Sequence, residues 1–392
     1  MNFPTLDARR HAHQLDFLAT GNELTIGDAA SCPLPPEQLA ATRGDEPHVV
    51  QTLSNGLTAR VHQLYIDGRR WALKQARPEC LVQNLDGQTS FLNELQRRRE
   101  LEALKAVPGG PVRFRGVTDT LYASLRHGII LTPWIDGQPV RQWDARRLRQ
   151  VFALGVEWLL AGLFEWDFSP GNLLDDGEQV WMFDFGYMYR FDPLRQLNTA
   201  GHGTDVPMFH LAERFETRNY FGHLLDCEAR EGRAAALGQF RLEKEIASAA
   251  YERLMSALQS RGADGLVLDA TATCIARWAQ ALRGDLETLF LVEGWRSHVI
   301  DLDDDLRGQT CTPMTLRRAE WLLAALRDHF TTLRSKSAFF WHDEEKSQAK
   351  LLETYERRRD DAQRFQIGRQ GCAEKAAEPQ SAVIPAKDAM KD

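Results

Sequence analysis

Asp167-Phe168-Ser169-Pro170-Gly171-Asn172, followed by Asp184-Phe185-Gly186, is the part of the chain that decides its reading. An acid and an amide lie five residues apart, and a second acid precedes a glycine. From Asn172 to Asp184 the gap is 12 residues. Carboxylates and amides in such a layout suit a hard cation and phosphate, because Mg²⁺ prefers one or two carboxylates plus phosphate oxygens. Leu173-Leu174 and Val180-Trp181-Met182-Phe183 are short apolar runs on either side of Asp175-Asp176-Gly177. That pattern predicts two strands joined by a tight turn. Such a hairpin brings Asn172 and Asp184 close in space.

The two motifs, in this order and spacing, resemble the catalytic core of the protein-kinase-like superfamily. That core pairs a D-x-x-x-x-N catalytic loop with a D-F-G metal loop about a dozen residues on. The resemblance covers roughly residues 48–225. It implies an α+β, two-lobed fold with a strand-rich small lobe, a mostly helical large lobe and ATP in the cleft. It implies Asp167 as the base that accepts or orients the acceptor hydroxyl, and Asn172 and Asp184 as Mg²⁺ ligands. Phe185 is expected to pack into the core, and Gly186 to allow a turn that a side chain would obstruct.

Upstream, Val61–Ile66 and Arg70–Ala76 read as two strands around Asp67-Gly68. The second resembles the V-A-I-K strand, which makes Lys74 the phosphate-binding lysine. Before this hairpin, Ser54, Asn55 and Gly56 are small enough for a loop whose backbone approaches phosphates. With a single glycine, the stretch reads equally as a plain hairpin turn. Thr89–Lys105 carries a helical apolar pattern. The resemblance implies an acid there to orient Lys74. Glu94, 20 residues on, is favoured over Glu100 and Glu102, and Arg97-Arg98-Arg99 reads as a solvated face. His127–Gly137 resembles the strand and hinge between the lobes. Pro133 has no N–H to offer adenine, so the donor falls to Trp134 or Ile135. Asp144–Phe164 reads as one amphipathic helix capped by Asp144.

The chain departs from the family in four places. Ser169 stands where serine/threonine kinases carry lysine and aminoglycoside phosphotransferases histidine, a choice more similar to RIO-type atypical kinases. Lys74, metal ions or a neighbouring arginine must then carry that charge. Glu165-Trp166 replaces the usual His-Arg, which argues against control by activation-loop phosphorylation. Glu165 also brings a second carboxylate close to Asp167, and like charges perturb one another when buried. No A-P-E element follows Gly186; Thr199–Asp205 is a candidate acceptor loop or an ordinary surface loop. The short run from Trp134 to Asp167 points away from antibiotic kinases.

Composition sets outer bounds. The 392 residues include 48 basic and 55 acidic side chains, a net charge of −7, which argues against a nucleic-acid partner. No apolar run has the length of a membrane span, and residues 1–10 lack a secretory apolar region. Cysteines at 32, 80, 227, 274, 311 and 372 form no C-x-x-C, so a reduced, cytoplasmic chain is expected. His202, His210 and His223 lack metal-ligand spacing and read as structural or solvent-facing. Asp301-Leu302-Asp303-Asp304-Asp305 reads as a solvated acidic turn. No internal repeat is evident.

The expected organisation is an N-terminal extension (1–45), a small lobe (46–135), a helical large lobe (136–340), and a charged helix with a disordered tail (341–392). Helical stretches are expected at Leu242–Gln259, Ala270–Phe290 and Thr315–Leu333. The expected activity is ATP- and Mg²⁺-dependent phosphate transfer to a hydroxyl on a protein or small molecule. A nucleotide-binding pseudokinase scaffold and a kinase-fold AMP transferase are the alternatives.

Overall fold

Alternating side chains and two-residue turns build the N-terminal part. The computed structural model describes residues 6–53, 56–78, 80–82, 84–201, 203 and 206–367. Strands Thr25–Gly27 (β1), Val49–Leu53 (β2), Ala59–Ile66 (β3), Arg69–Ala76 (β4), Tyr122–Ser124 (β5) and Ile129–Pro133 (β6) form one antiparallel sheet. Its order is β1-β5-β6-β4-β3-β2. The β3–β4 turn has positive φ at both Asp67 (51°) and Gly68 (75°), as a tight hairpin of matching twist requires.

Period-two alternation gives each sheet face its own cover. Leu64, Leu73 and Leu131 pack with Leu39 of the short helix Pro36–Ala41. On the opposite face, Ile130 packs with Leu92 and Leu95 of the long helix Leu85–Ala106. Lys74 is the cross-strand partner of Ile130, so it shares the face that looks toward this helix.

Residues 6–45 pack into this layer rather than forming the expected separate extension. β1 pairs with β5, Leu24 and Ile26 enter the core, and the helix Leu6–Ala19 packs on Leu85–Ala106. The reason is that β5 would otherwise expose an unpaired edge.

The C-terminal part is helical. Ala145–Leu160 is capped by Asp144, whose carboxylate accepts the Arg147 N–H at 2.9 Å. This helix stops before the expected Phe164: Gly162 turns the chain with φ 76°, and Leu163–Glu165 is a strand paired with Met188–Arg190. Strands Leu173–Asp175 and Val180–Met182 form the expected hairpin, with Gly177 at φ 100°. The expected helix Ala270–Phe290 is two helices, Gly265–Arg283 and Leu286–Gly308. The chain leaves helical geometry at Gly284, and Asp285 caps the second helix. Arg233–Ser260 and Pro313–Ser335 complete the bundle. The charged helix Gln348–Arg364 is not peripheral, since Leu351 and Tyr355 are fully buried against Trp295 and its neighbours. The tail beyond 367 lies outside the described residues. No described helix is long and apolar enough to cross a membrane.

Candidate functional site

Lys74 joins three separate segments. Its Nζ donates to Glu94 Oε2 at 2.6 Å and to Asp184 Oδ2 at 2.8 Å. Glu94 is sealed at 1% exposure, whereas Asp184 is 31% exposed. Burial pushes the Lys74 ammonium down, but the two carboxylates more than offset this and hold it above its ordinary range. Burial likewise pushes Asp184 up, and the Lys74 charge more than offsets it, leaving a carboxylate below its ordinary range. Of the three candidate acids, Glu94 is thus the lysine's partner. Glu100 instead pairs with Arg97 and Arg190, and Glu102 with Lys105.

The helix carrying Glu94 also holds the Asp184–Gly186 loop. Arg98 Nε donates to Glu94 Oε1 at 2.9 Å, and its Nη2 donates to the Phe183 carbonyl. Asn93 Nδ2 donates to Gly186 O at 2.9 Å and Met188 O at 2.7 Å. The expected solvated face therefore holds only for Arg99. Arg97 and Arg98 are buried, because the Phe183 carbonyl and nearby carboxylates supply them with partners. Gly186 needs no left-handed backbone. A Cβ there would meet Ser90 Cβ at 3.3 Å, so tight packing against the helix is what disfavours a side chain.

Two phenylalanines anchor the two acidic loops to one tryptophan. Phe168 follows Asp167 and Phe185 follows Asp184, and both are fully buried. Their rings lie 6.5 and 6.0 Å from that of Trp158. Asp167 itself remains partly open. It accepts the Ser169 N–H at 3.2 Å and the Ser169 hydroxyl, and Asn172 Nδ2 donates to its Oδ2 at 3.1 Å. Glu165 lies directly beneath, 3% exposed, and accepts the Asp167 N–H at 2.7 Å. Burial, with the Asp167 and Asp184 charges nearby, pushes the Glu165 carboxyl well above its ordinary range.

A neighbouring arginine occupies the gap left by Ser169. Arg218 Nε donates to Asp167 Oδ1 at 3.3 Å, and its Nη2 to Ser169 Oγ at 3.4 Å. Nη1 donates to Asp301 Oδ1 at 2.5 Å, and Arg318 Nε lies 2.8 Å from Asp301 Oδ2. Arg218 stands on a π-helical turn, Glu216–Tyr220, inserted between the helices Leu211–Phe215 and Phe221–Glu231. Such turns re-aim side chains and occur often at functional sites. The adjacent Asn219 donates to the Phe168 carbonyl at 2.9 Å, fixing the Asp167–Asn172 loop from the same turn. Asp301–Asp305 is not a solvated turn. It lies inside the helix Leu286–Gly308, where Asp301 is buried between Arg218 and Arg318 and Asp304 faces Arg214 at 3.5 Å. Arg214 also donates to the Trp166 carbonyl.

The remaining expected residues fall around this centre. Trp134 N–H donates to Arg70 O at 3.1 Å, so it is engaged in the sheet. Among the described residues the Ile135 N–H has no such bond, so of the two expected donors it is the one not engaged in the sheet. Ser54 and Asn55 lie outside the described residues. Gly56 is described, and a Cβ there would fall 2.5 Å from Ala59 O, so the chain passes too closely for a side chain. His202, Thr204 and Asp205 of the candidate acceptor loop also lie outside the described residues. His210 is structural: it is buried and 2.8 Å from the Tyr251 hydroxyl.

The donor set suits Mg²⁺. Asp184 presents a partly exposed carboxylate, and Asn172 spends its amide nitrogen on Asp167, which leaves its amide oxygen available. Among the described residues no three His, Cys, Asp or Glu side chains converge into a ready-made cage. Asp184 and Asn172 together would fit a cation that takes its remaining ligands from elsewhere.

Comparison with known proteins identifies no matching family model and no similar curated protein.

Proposed function

We propose that the protein is an ATP- and Mg²⁺-dependent phosphotransferase of the kinase-like type, acting on a hydroxyl of a protein or small molecule. The observation that carries this reading is the convergence of Glu94 and Asp184 on Lys74 across 20 and 110 residues of sequence. A lysine held between an orienting acid and a partly open carboxylate is the arrangement that grips the phosphates of a metal–nucleotide complex. Bound Mg²⁺, held by Asp184 and Asn172, supplies charge neutralisation on the phosphates. Asp167 faces the acceptor hydroxyl and takes its proton as the new O–P bond forms and the bond to the leaving ADP breaks. Ser169 and Asn172 orient its carboxylate for that step. Arg218, beside both Asp167 and Ser169, supplies the cation that lysine provides elsewhere in the superfamily. Ile135 reads the adenine edge from the hinge. A cytoplasmic location suits this cofactor use and the free thiols at Cys32, Cys80, Cys227, Cys274 and Cys311.

The test is thermal unfolding with ATP, with and without Mg²⁺. A Mg²⁺-dependent rise in Tm is expected for the wild type and not for Asp184→Ala, because only native-state binding stabilises by mass action. Asp167→Asn is expected to keep that rise while ATP turnover falls by about 10²–10⁴-fold, the range attributable to a general base. No rise in the wild type rejects the reading; a rise with no turnover in the wild type favours the scaffold. Release of pyrophosphate instead of ADP would identify AMP transfer.

A further inference from the structure

A second cavity lies on the other side of the Glu94-bearing helix. It has a volume of about 430 Å³ and is enclosed by the helices Leu6–Ala19 and Leu85–Ala106 and by the chain following the metal loop. Lys74, Glu94 and Asp184 do not line it. Its described lining contains Arg10, Arg97, Arg190, His13 and several amides, and no carboxylate. Two lining residues are more than nine-tenths buried with hydrogen-bonding capacity unused: Arg97 (7% exposed) at Nε and Gln14 (4%) at Oε1. Arg10 Nε is also buried without a partner. Native interiors satisfy nearly all such groups with protein, water or ligand.

The carboxylates that hold these arginines approach from outside the lining. Glu100 Oε1 alone serves both Arg97, at 2.9 Å, and Arg190, at 2.7 Å, and Arg10 is held by Asp86 and Asp7. Burial pushes the Arg97 guanidinium down, and the Arg190 charge adds to this against the pull of Glu100. An anion entering the cavity would meet three guanidiniums whose planar donor geometry matches carboxylate and phosphate groups.

We propose that this cavity binds a small polyanion bearing phosphate or carboxylate groups, held by Arg97, Arg190 and Arg10. The site is placed to act on the catalytic cleft. Gln14 Nε2 donates to Asn93 Oδ1 at 3.2 Å, and Asn93 holds the carbonyls of Gly186 and Met188. Glu94 is the next residue. A ligand that ties the N-terminal helix to Arg97 therefore braces the helix that orients Lys74. Binding itself does not depend on the phosphotransfer reading; only the consequence for the cleft does.

The experiment follows Tm of the full chain titrated with inorganic phosphate and, in parallel, with citrate, at ionic strength held constant with NaCl. A saturable rise with at least one of them is expected. Phosphate alone identifies a phosphoryl ligand, and citrate alone a polycarboxylate. The rise should persist in Lys74→Ala, which removes the cation of the cleft. It should need at least ten-fold more anion in Arg97→Gln and in Gln96→Glu, which adds a carboxylate to the lining. Arg190→Gln, at a side chain 68% exposed, keeps the test decisive if Arg97→Gln does not fold. The proposal is overturned if neither anion raises Tm, if the lining variants respond like the wild type, or if Lys74→Ala abolishes the rise. Loss of the Mg²⁺–ATP response with the anion response intact would reject phosphotransfer and leave this site standing.

Discussion

The chain clasps two lysines between carboxylates drawn from distant segments, and the two clusters differ in access. Lys74 is 14% exposed, and its partner Asp184 opens to the cleft at 31%. Lys244 is fully buried among Glu216, Glu243 and Glu293, which are also sealed. Arg296 joins Glu216 at 2.8 Å, and Arg277 joins Glu293 at 2.5 Å. A charged site with one wet carboxylate can exchange an internal partner for a ligand. A sealed one cannot, and its charges hold segments together. Glu216 opens the π-helical turn that carries Arg218 into the candidate site, so the closed cluster positions part of the open one.

Lys244→Met is the sharpest way to break this contrast. It leaves three buried carboxylates without their shared cation, and Glu243 then keeps only the more distant charge of Arg296. A loss of about 3–5 kcal/mol is expected in urea unfolding. A loss below 1 kcal/mol would mean that the cluster is not an architectural clamp. Arg218→Gln comes next. If the π turn delivers a charge-stabilising donor, ATP turnover should fall by about 10²–10³-fold with the Mg²⁺–ATP rise in Tm retained. Unchanged turnover would remove Arg218 from the site.

Lys74→Ala should cost less stability than Lys244→Met, about 1–2 kcal/mol, because Glu94 keeps its bond to Arg98. It should nevertheless abolish the Mg²⁺–ATP rise. A double-mutant cycle with Glu94→Gln, measured on stability in urea unfolding, should show coupling of about 0.5–3 kcal/mol, and additive effects would separate the two residues. The smallest effect concerns pH. Glu243 is pushed up to about 7, chiefly by burial, and Glu165 well above its ordinary range. Both folded-state values exceed the unfolded ones. Their contribution to stability is thus complete below the unfolded pKa near 4.5 and is lost as pH rises through the folded values. Glu243→Gln and Glu165→Gln should each flatten that decline by at most about 1.4 kcal/mol per pH unit. An unchanged slope would mean that neither carboxyl is held protonated.

The centre of the site is legible in the sequence because its signals are local. The apolar runs around Asp175-Asp176-Gly177 specify the hairpin that follows Asn172 and leads to Asp184. Alternation along β4 puts Lys74 and Leu73 on opposite faces, and the helical period around Leu92 and Leu95 turns Glu94 inward. The errors have equally specific causes. Arg97-Arg98-Arg99 looks solvated because charge predicts exposure unless partners are known, and those partners, Glu94, Phe183 O and Glu100, become visible only after folding. The Glu94–Arg98 spacing of four residues and the Arg97–Glu100 spacing of three are the available hints. Asp301–Asp305 resembles a turn by composition but is held helical by Arg214, Arg218, Arg318 and Arg358.

What the sequence determines by itself is the set of short elements, on which the resemblance to the kinase-like core picks out Asp167, Asn172, Asp184, Lys74 and Glu94. Only the tertiary structure decides that Arg218 stands beside Asp167, 51 residues away, and that Asp301 holds it from a further 83. It alone brings the N-terminal helix onto Asn93 and seals Lys244 among three glutamates. Periodicity reports which way a side chain faces relative to neighbours a few positions away. Which distant surface it meets depends on how whole helices pack, and that is set by the buried faces of all of them together.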